Sequence, residues 1–117
     1  DRDGMDKSRE AVLENARWIK HALADETDMF AGMMGMHAQF TIQMDYGIAA
    51  ANKPEEVGYH IHVAEGIEDL HDCLHKYGKR IVDRLYDCNI LGSKTLLGHC
   101  IYVNPHEMEL IKQLILW

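Results

Sequence analysis

Apolar residues recur every three or four positions between Asp6 and Ala24, at Val12, Ala16, Ile19 and Leu23, while Lys7, Arg9, Glu10, Glu14, Arg17 and Lys20 fall mostly elsewhere. That period predicts a surface helix with one buried side. After a polar turn at Asp25–Asp28, the chain carries no charge from Met29 to Met36 and closes on His37. Small and apolar residues over that length predict a strand covered on both faces, as in a parallel sheet flanked by helices. Ala38 to Ile42 are expected to connect it to a short alanine-rich helix over 43–53. The helix stops ahead of Pro54, because proline disfavours helical geometry in the residue before it.

The run Gly58-Tyr59-His60-Ile61-His62-Val63-Ala64-Glu65-Gly66 alternates instead. On a strand, Tyr59, Ile61 and Val63 share one face, and His60, His62 and Ala64 the other. Two imidazoles on one face, with Glu65 at the exit, set a metal ligand or proton carrier beside a carboxylate. Helical spacing returns at Ile67, Leu70, Leu74 and Tyr77, up to Gly78, a left-handed cap. A second helix carries Ile81, Val82 and Leu85. Leu91 to Lys94 turn the chain into Thr95-Leu96-Leu97-Gly98-His99-Cys100, a third apolar strand. Asn104, Pro105 and Glu107 then open a last helix running through Leu110, Ile111 and Leu114.

Helix, strand, helix, strand, helix pair, strand, helix is the order of an α/β protein with a parallel sheet and right-handed crossovers. His37, His62 and His99 each close a strand, at the edge where parallel sheets and barrels build their sites. A single strand-end histidine commonly does no more than hydrogen-bond a loop. Three at equivalent places are harder to explain that way.

Composition narrows the partners. A chain of 117 residues is the size of one small domain, and a net charge of −7, from 19 acidic against 12 basic side chains, offers no patch for a nucleic-acid backbone. No apolar run approaches the roughly 18–20 residues needed to span a bilayer, and no basic-then-apolar leader opens the chain, so a cytoplasmic location away from membranes is expected. Cys73, Cys88 and Cys100 are odd in number and lack CxxC spacing, and they read as reduced thiols. Three other patterns have plainer explanations. The methionines of 29–36 read as packing, not as a copper or haem box. Residues 1–6 read as a solvated loop and not a calcium loop. His71 and His75, one helical turn apart like paired zinc ligands, lie oblique to the apolar stripe and read as exposed helix histidines.

The segment His60-Ile61-His62-Val63-Ala64-Glu65, followed after a helical stretch by Thr95-Leu96-Leu97-Gly98-His99-Cys100, resembles the amidohydrolase superfamily. The likeness is to its cytosine-deaminase-like branch of aminohydrolases and chlorohydrolases, the SsnA-like aminohydrolases in particular, and it runs through nearly the whole chain. It implies a partial TIM-type (β/α)8 barrel. His62 and Glu65 fall on the family's fifth strand, His99 on the sixth, and Met36-His37-Ala38-Gln39-Phe40-Thr41 on the fourth. The family's first strand also carries a His-x-His, but here a helix-strand-helix unit precedes His60-Ile61-His62 and a glutamate follows, which favours the fifth; His60 is then a residue deeper in the barrel.

The roles implied by the resemblance are His62 as a metal ligand, Glu65 and His99 as catalytic residues, and His37 as a substrate contact. The implied cofactor is a divalent ion, zinc first and iron second. The implied reaction is hydrolysis of a non-peptide C–N bond in a small molecule by metal-activated water, as in a deaminase. The family's first-strand His-x-His and eighth-strand aspartate have no counterpart here, the connection after His37 is shorter than usual, and a full barrel takes about 250 residues. Residues 1–117 are therefore expected to be one internal segment, from after the third strand to the helix after the sixth, which alone binds metal weakly and is inactive. A different class of function is a non-catalytic α/β interaction module. Open sheet edges and the apolar stretch 114–117 would favour self-association in either case. Convergence of His37, His62 and His99 on one place would favour the enzyme; scatter would favour the module.

Overall fold

The stripe Val12, Ala16, Ile19 is the buried side of α1, Met5–Leu23, joined by Ser8 and Ala22. Leu23 was expected to complete it but lies largely exposed in the last turn, where small Ala22 takes the buried position. These elements come from a computed structural model that describes residues 4–37 and 45–115; the expected 38–42 connection, part of the 1–6 loop and the end of the 114–117 stretch lie outside the described residues.

The expected long strand is only three residues, β1, Met34–Met36. Met34 and Met36 are buried, whereas Met29 and Phe30 are exposed. Absence of charge did not mean burial on both faces, because the helices among the described residues cover one side of this sheet. Helix α2, Asp45–Asn52, ends ahead of Pro54 as expected. β2, Tyr59–Val63, alternates as its sequence requires, with Tyr59, Ile61 and Val63 buried and His60 exposed.

α3, Ile67–Tyr77, stops at Gly78, whose φ of 64° is left-handed and whose N–H donates to the Leu74 carbonyl. Its buried residues are Asp69, Leu70 and Cys73; of the expected stripe only Leu70 is buried, and Ile67, Leu74 and Tyr77 are exposed. α4, Ile81–Asp87, buries Ile81, Val82 and Leu85, then β3, Leu96–His99, and α5, Pro105–Leu114, follow.

The sheet order is β1-β2-β3, parallel throughout. The buried side chains of the strands form one core with those of the helices, containing Ile19, Met34, Ile61, Val63, Ile81, Val82 and Leu85. Each such side chain contributes roughly 1.5–3 kcal/mol by leaving water. The opposite face carries Gly35, His60 and Leu96, all exposed. One layer of helices on one side of a parallel sheet, with strand-end residues on the other, is the arrangement of a barrel segment. Among the described residues, no helix is long and apolar enough to cross a membrane.

Two polar devices fix the strand ends. A Cβ at Gly58 would stand 1.6 Å from the Lys94 carbonyl oxygen, so the backbone ahead of β2 lies directly on the segment ahead of β3. Glu107 has no exposed surface and accepts from Arg80 Nε at 2.5 Å, from the Val82 N–H at 3.0 Å and from the Asn104 N–H at 3.1 Å. A carboxylate so deeply buried is tolerable only with this many partners. Asn104 returns the last bond by accepting the Glu107 N–H at 2.8 Å, which completes the capping box of α5.

Candidate metal and catalytic centre

In the register of the sheet, His60 lies beside Gly35 and His62 beside Gly98. Side chains of paired residues in parallel strands project to the same face, so His60 and His62 look into the space that the helices leave open. His37, one residue past β1, follows Gly35 by alternation onto this face. Its ring centroid is 5.5 Å from that of His62. His60 stacks on His62 at 6.0 Å with the planes 14° apart.

His99 reaches the same place by a different route. It pairs with Val63, and alternation from half-buried Leu97 would send it toward the helices. Instead the backbone turns left-handed at His99, φ 68°, and again at Cys100, φ 53°. The ring swings back, and its Nε2 comes to 3.0 Å from Nδ1 of His62. A third left-handed residue, Ala64 with φ 49°, follows the end of β2. Ala64 was expected to share the face of His60 and His62; the bend buries it and carries Glu65 outward and across, so that Oε2 lies 3.4 Å from His99 Nε2. The two exits are stitched together. Cys100 N–H donates to the Val63 carbonyl at 2.9 Å, and those of Ile101 and Tyr102 donate to the Ala64 carbonyl at 3.2 and 3.0 Å.

His62, Glu65 and His99 can each offer one ligand atom, all within 4.8 Å of one another. Two imidazole nitrogens and a carboxylate oxygen are the donor set that suits zinc or iron(II). Two nitrogens on one zinc, each at about 2.0–2.1 Å, stand about 3.3 Å apart, close to the separation seen here. The residues therefore fit a divalent ion. His37 and His60 flank the group without joining it, and His71 and His75 stay exposed on α3, as expected of solvated helix residues. Burial, aided by the nearby Glu107 carboxylate, holds the Cys100 thiol above its ordinary pKa. All three cysteines are free thiols.

The sequence model of the amidohydrolase family matches residues 2–116. This chain belongs to the amidohydrolase family. Its three parallel strands with helices on one side are a segment of that family's TIM-type barrel. Among curated relatives, the chain is 33% identical over 84 residues to a 5-methylthioadenosine/S-adenosylhomocysteine deaminase from Caldanaerobacter subterraneus subsp. tengcongensis, covering 70% of this chain and 19% of that protein. It is 30% identical over 84 residues to the protein of the same name from Thermoanaerobacter pseudethanolicus, covering 70% and 20%. It is 24% identical over 112 residues to a 5'-deoxyadenosine deaminase from Methanopyrus kandleri, covering 94% and 26%. The amidohydrolase chain thus spans about a fifth to a quarter of the length of these relatives.

Sequence reasoning found the strand-end histidines and Glu65 but missed two residues that hold them in place. Asp69, 1% exposed in the first turn of α3, accepts the Ala64 N–H at 3.0 Å. Arg80, bound to Glu107, also donates from Nη2 to the Tyr102 carbonyl at 3.0 Å. Acidic residues at helix starts are common, so only the reach of Asp69 back past Gly66 sets it apart.

Proposed function

We propose that this chain supplies the fourth, fifth and sixth strands of a barrel hydrolase that cleaves a non-peptide C–N bond in a small molecule, a deaminase-type reaction. The observation that carries the reading is the meeting of His62 and His99 at 3.0 Å, with Glu65 at 3.4 Å from His99, from the ends of two strands. His62 holds a divalent ion, zinc or iron, with further ligands from outside these residues, which leaves Glu65 and His99, both within reach of the ion, free to act on what it binds. Bound there, the ion supplies Lewis acidity that brings the pKa of a water toward neutrality. Glu65, exposed and beside His99, takes the proton of the attacking water and returns it to the leaving nitrogen, which requires hydrogen-bond reach to both. His99 orients the water or polarises the carbon under attack. His37, on the outer side of His62, contacts the substrate.

The named relatives act, by their names, on adenosine derivatives, so an amine on a purine ring is the first substrate class to assay. The interaction-module alternative calls for scattered histidines; centroid separations of 5.1 Å between His62 and His99 and 5.5 Å between His37 and His62 favour the enzyme. The test is purification of the intact protein, elemental analysis, and ammonia release from adenosine-type amines before and after chelation and restoration with zinc or iron(II). Retained metal with chelator-sensitive ammonia release is expected. An intact protein that holds no metal and releases no ammonia overturns the reading. Residues 1–117 alone are expected to bind metal weakly and turn nothing over.

A further inference from the structure

Ala64 is the hinge between the two ends of the site, and its conformation is one that L residues with a side chain rarely adopt. Both of its backbone groups are engaged. The carbonyl receives Ile101 and Tyr102, from just past His99, and the N–H donates to Asp69. Asp69 is the third residue of α3, where an acidic side chain ordinarily turns back to the N–H of the N-cap residue. Glu107 does this at α5, accepting from its own N-cap, Asn104. Asp69 does not stop at its N-cap, Gly66. Its carboxylate reaches two residues further, to Ala64, and is buried to do so. Reaching that far back from a buried position is more than starting a helix requires. It is an effective way to hold a bend.

We propose, resting on the function given above, that Asp69 is the positioning residue of this site. Its carboxylate fixes the left-handed Ala64, and through Ala64 it sets both the outward path of Glu65 and the backbone bonds that turn His99 onto His62. In this scheme Asp69 acts on His62, Glu65 and His99 through Ala64.

Two readouts on the intact protein, one free of metal, test this. By ¹⁵N NMR, the Ala64 amide should exchange slowly, and the His62 and His99 ring nitrogens should give sharp, distinct signals of a fixed pair. In Asp69→Ala the Ala64 amide should exchange at least about tenfold faster, the loss expected for a charge-assisted hydrogen bond, and the two rings should average. Asp69→Asn, whose amide oxygen can still accept, should restore both. Ala64→Gly combined with Asp69→Ala removes the left-handed strain and should recover folding without recovering the fixed rings, so the question stays answerable even if Asp69→Ala alone does not fold. Rings that remain fixed in Asp69→Ala, or in the double variant, overturn the proposal. Cobalt(II) titration, read by its visible spectrum, is the second arm. Asp69→Ala should weaken cobalt about 10–100-fold, as loss of an outer support does. Wild-type protein that binds no cobalt, yet loses its fixed rings without Asp69, overturns the metal reading and supports the positioning role.

Discussion

His62 Nδ1 and His99 Nε2 stand 3.0 Å apart although His99 pairs with Val63, whose side chain points into the core on the other face of the sheet. The left-handed turn at His99 makes the meeting possible. If the pair belongs to a metal centre, its members differ in what they supply. His62→Ala in the intact protein should abolish metal retention, and activity with it. Glu65→Gln should keep the metal and lower kcat by about 10²–10⁴, the usual contribution of a proton carrier. Elemental analysis beside steady-state kinetics separates the two. Equal metal loss in both variants would assign Glu65 as a ligand instead.

Arg80 and Glu107 form an asymmetric pair, because Glu107 is fully buried and the Arg80 side chain keeps about a quarter of its surface. Removing the arginine strands a charge with no access to water, which costs about 3–5 kcal/mol. Adding Glu107→Gln to Arg80→Ala should return more than half of that loss, since a neutral amide oxygen still accepts the Val82 N–H. Urea unfolding at neutral pH measures it. Simple additivity of the two substitutions would show that the charge is not what Arg80 compensates.

The histidines were legible because period-two alternation and strand length are written in residue type: Ile61 and Val63 must be buried, so His60 and His62 cannot be. The α/β order was legible for the same reason. The extent of β1 was not, since charge-free residues such as Met29 and Phe30 look buried in sequence whether or not a layer covers them. Nor were the left-handed turns at Ala64, His99 and Cys100, none of which is a glycine or asparagine to signal a positive φ. The support from Asp69 and Glu107 was hidden too. An acidic residue in a first helical turn is ordinary, and only tertiary contacts reveal that these two are buried.

Cys73 and Tyr46, with Cys100 and Tyr59, are acids whose pKa values burial raises, which makes the fold sensitive to alkali. Burial, opposed by the Arg84 guanidinium, pushes the Cys73 thiol up to about 11, and Tyr46 is raised in the same way. In the unfolded chain a thiol loses its proton near 8.5 and a tyrosine near 10, approximately. Between the unfolded and folded values the folded state holds a proton that the unfolded state has released, so stability falls as pH rises through that window. The urea midpoint should therefore be level to about pH 8.5 and decline toward about pH 11, with the Cys73 and Cys100 thiols acting before the tyrosines. Cys73→Ala should lower the midpoint by a constant amount and flatten the early part of the decline. A variant with the same slope as wild type from pH 8.5 to 10 would remove Cys73 from the account.

Gly58, just ahead of β2, lies against Lys94, two residues ahead of β3. Its carbonyl accepts the Met34 N–H at 3.0 Å, while Lys94 lies against its Cα and reaches back with Nζ to the Glu56 carbonyl at 2.7 Å. Gly58→Ala would put a methyl 1.6 Å from a backbone oxygen, and no side-chain rotation relieves that overlap. The chain must part there, and the cost should exceed the roughly 1–3 kcal/mol of ordinary overpacking. Parting β2 from β3 at this end shifts the pairing of His62 with Gly98 and Val63 with His99 at the other. Gly58→Ala should thus weaken cobalt binding as well as stability, although Gly58 lies at the opposite end of β2 from the histidine pair. Gly78→Ala supplies the comparison. Its φ of 64° makes it costly to stability for a backbone reason, but a Cβ there meets nothing within 4 Å. At matched loss of stability, the Gly78 variant should keep its cobalt affinity and the Gly58 variant should not. Equal affinity in both would mean that the strand starts do not govern the site.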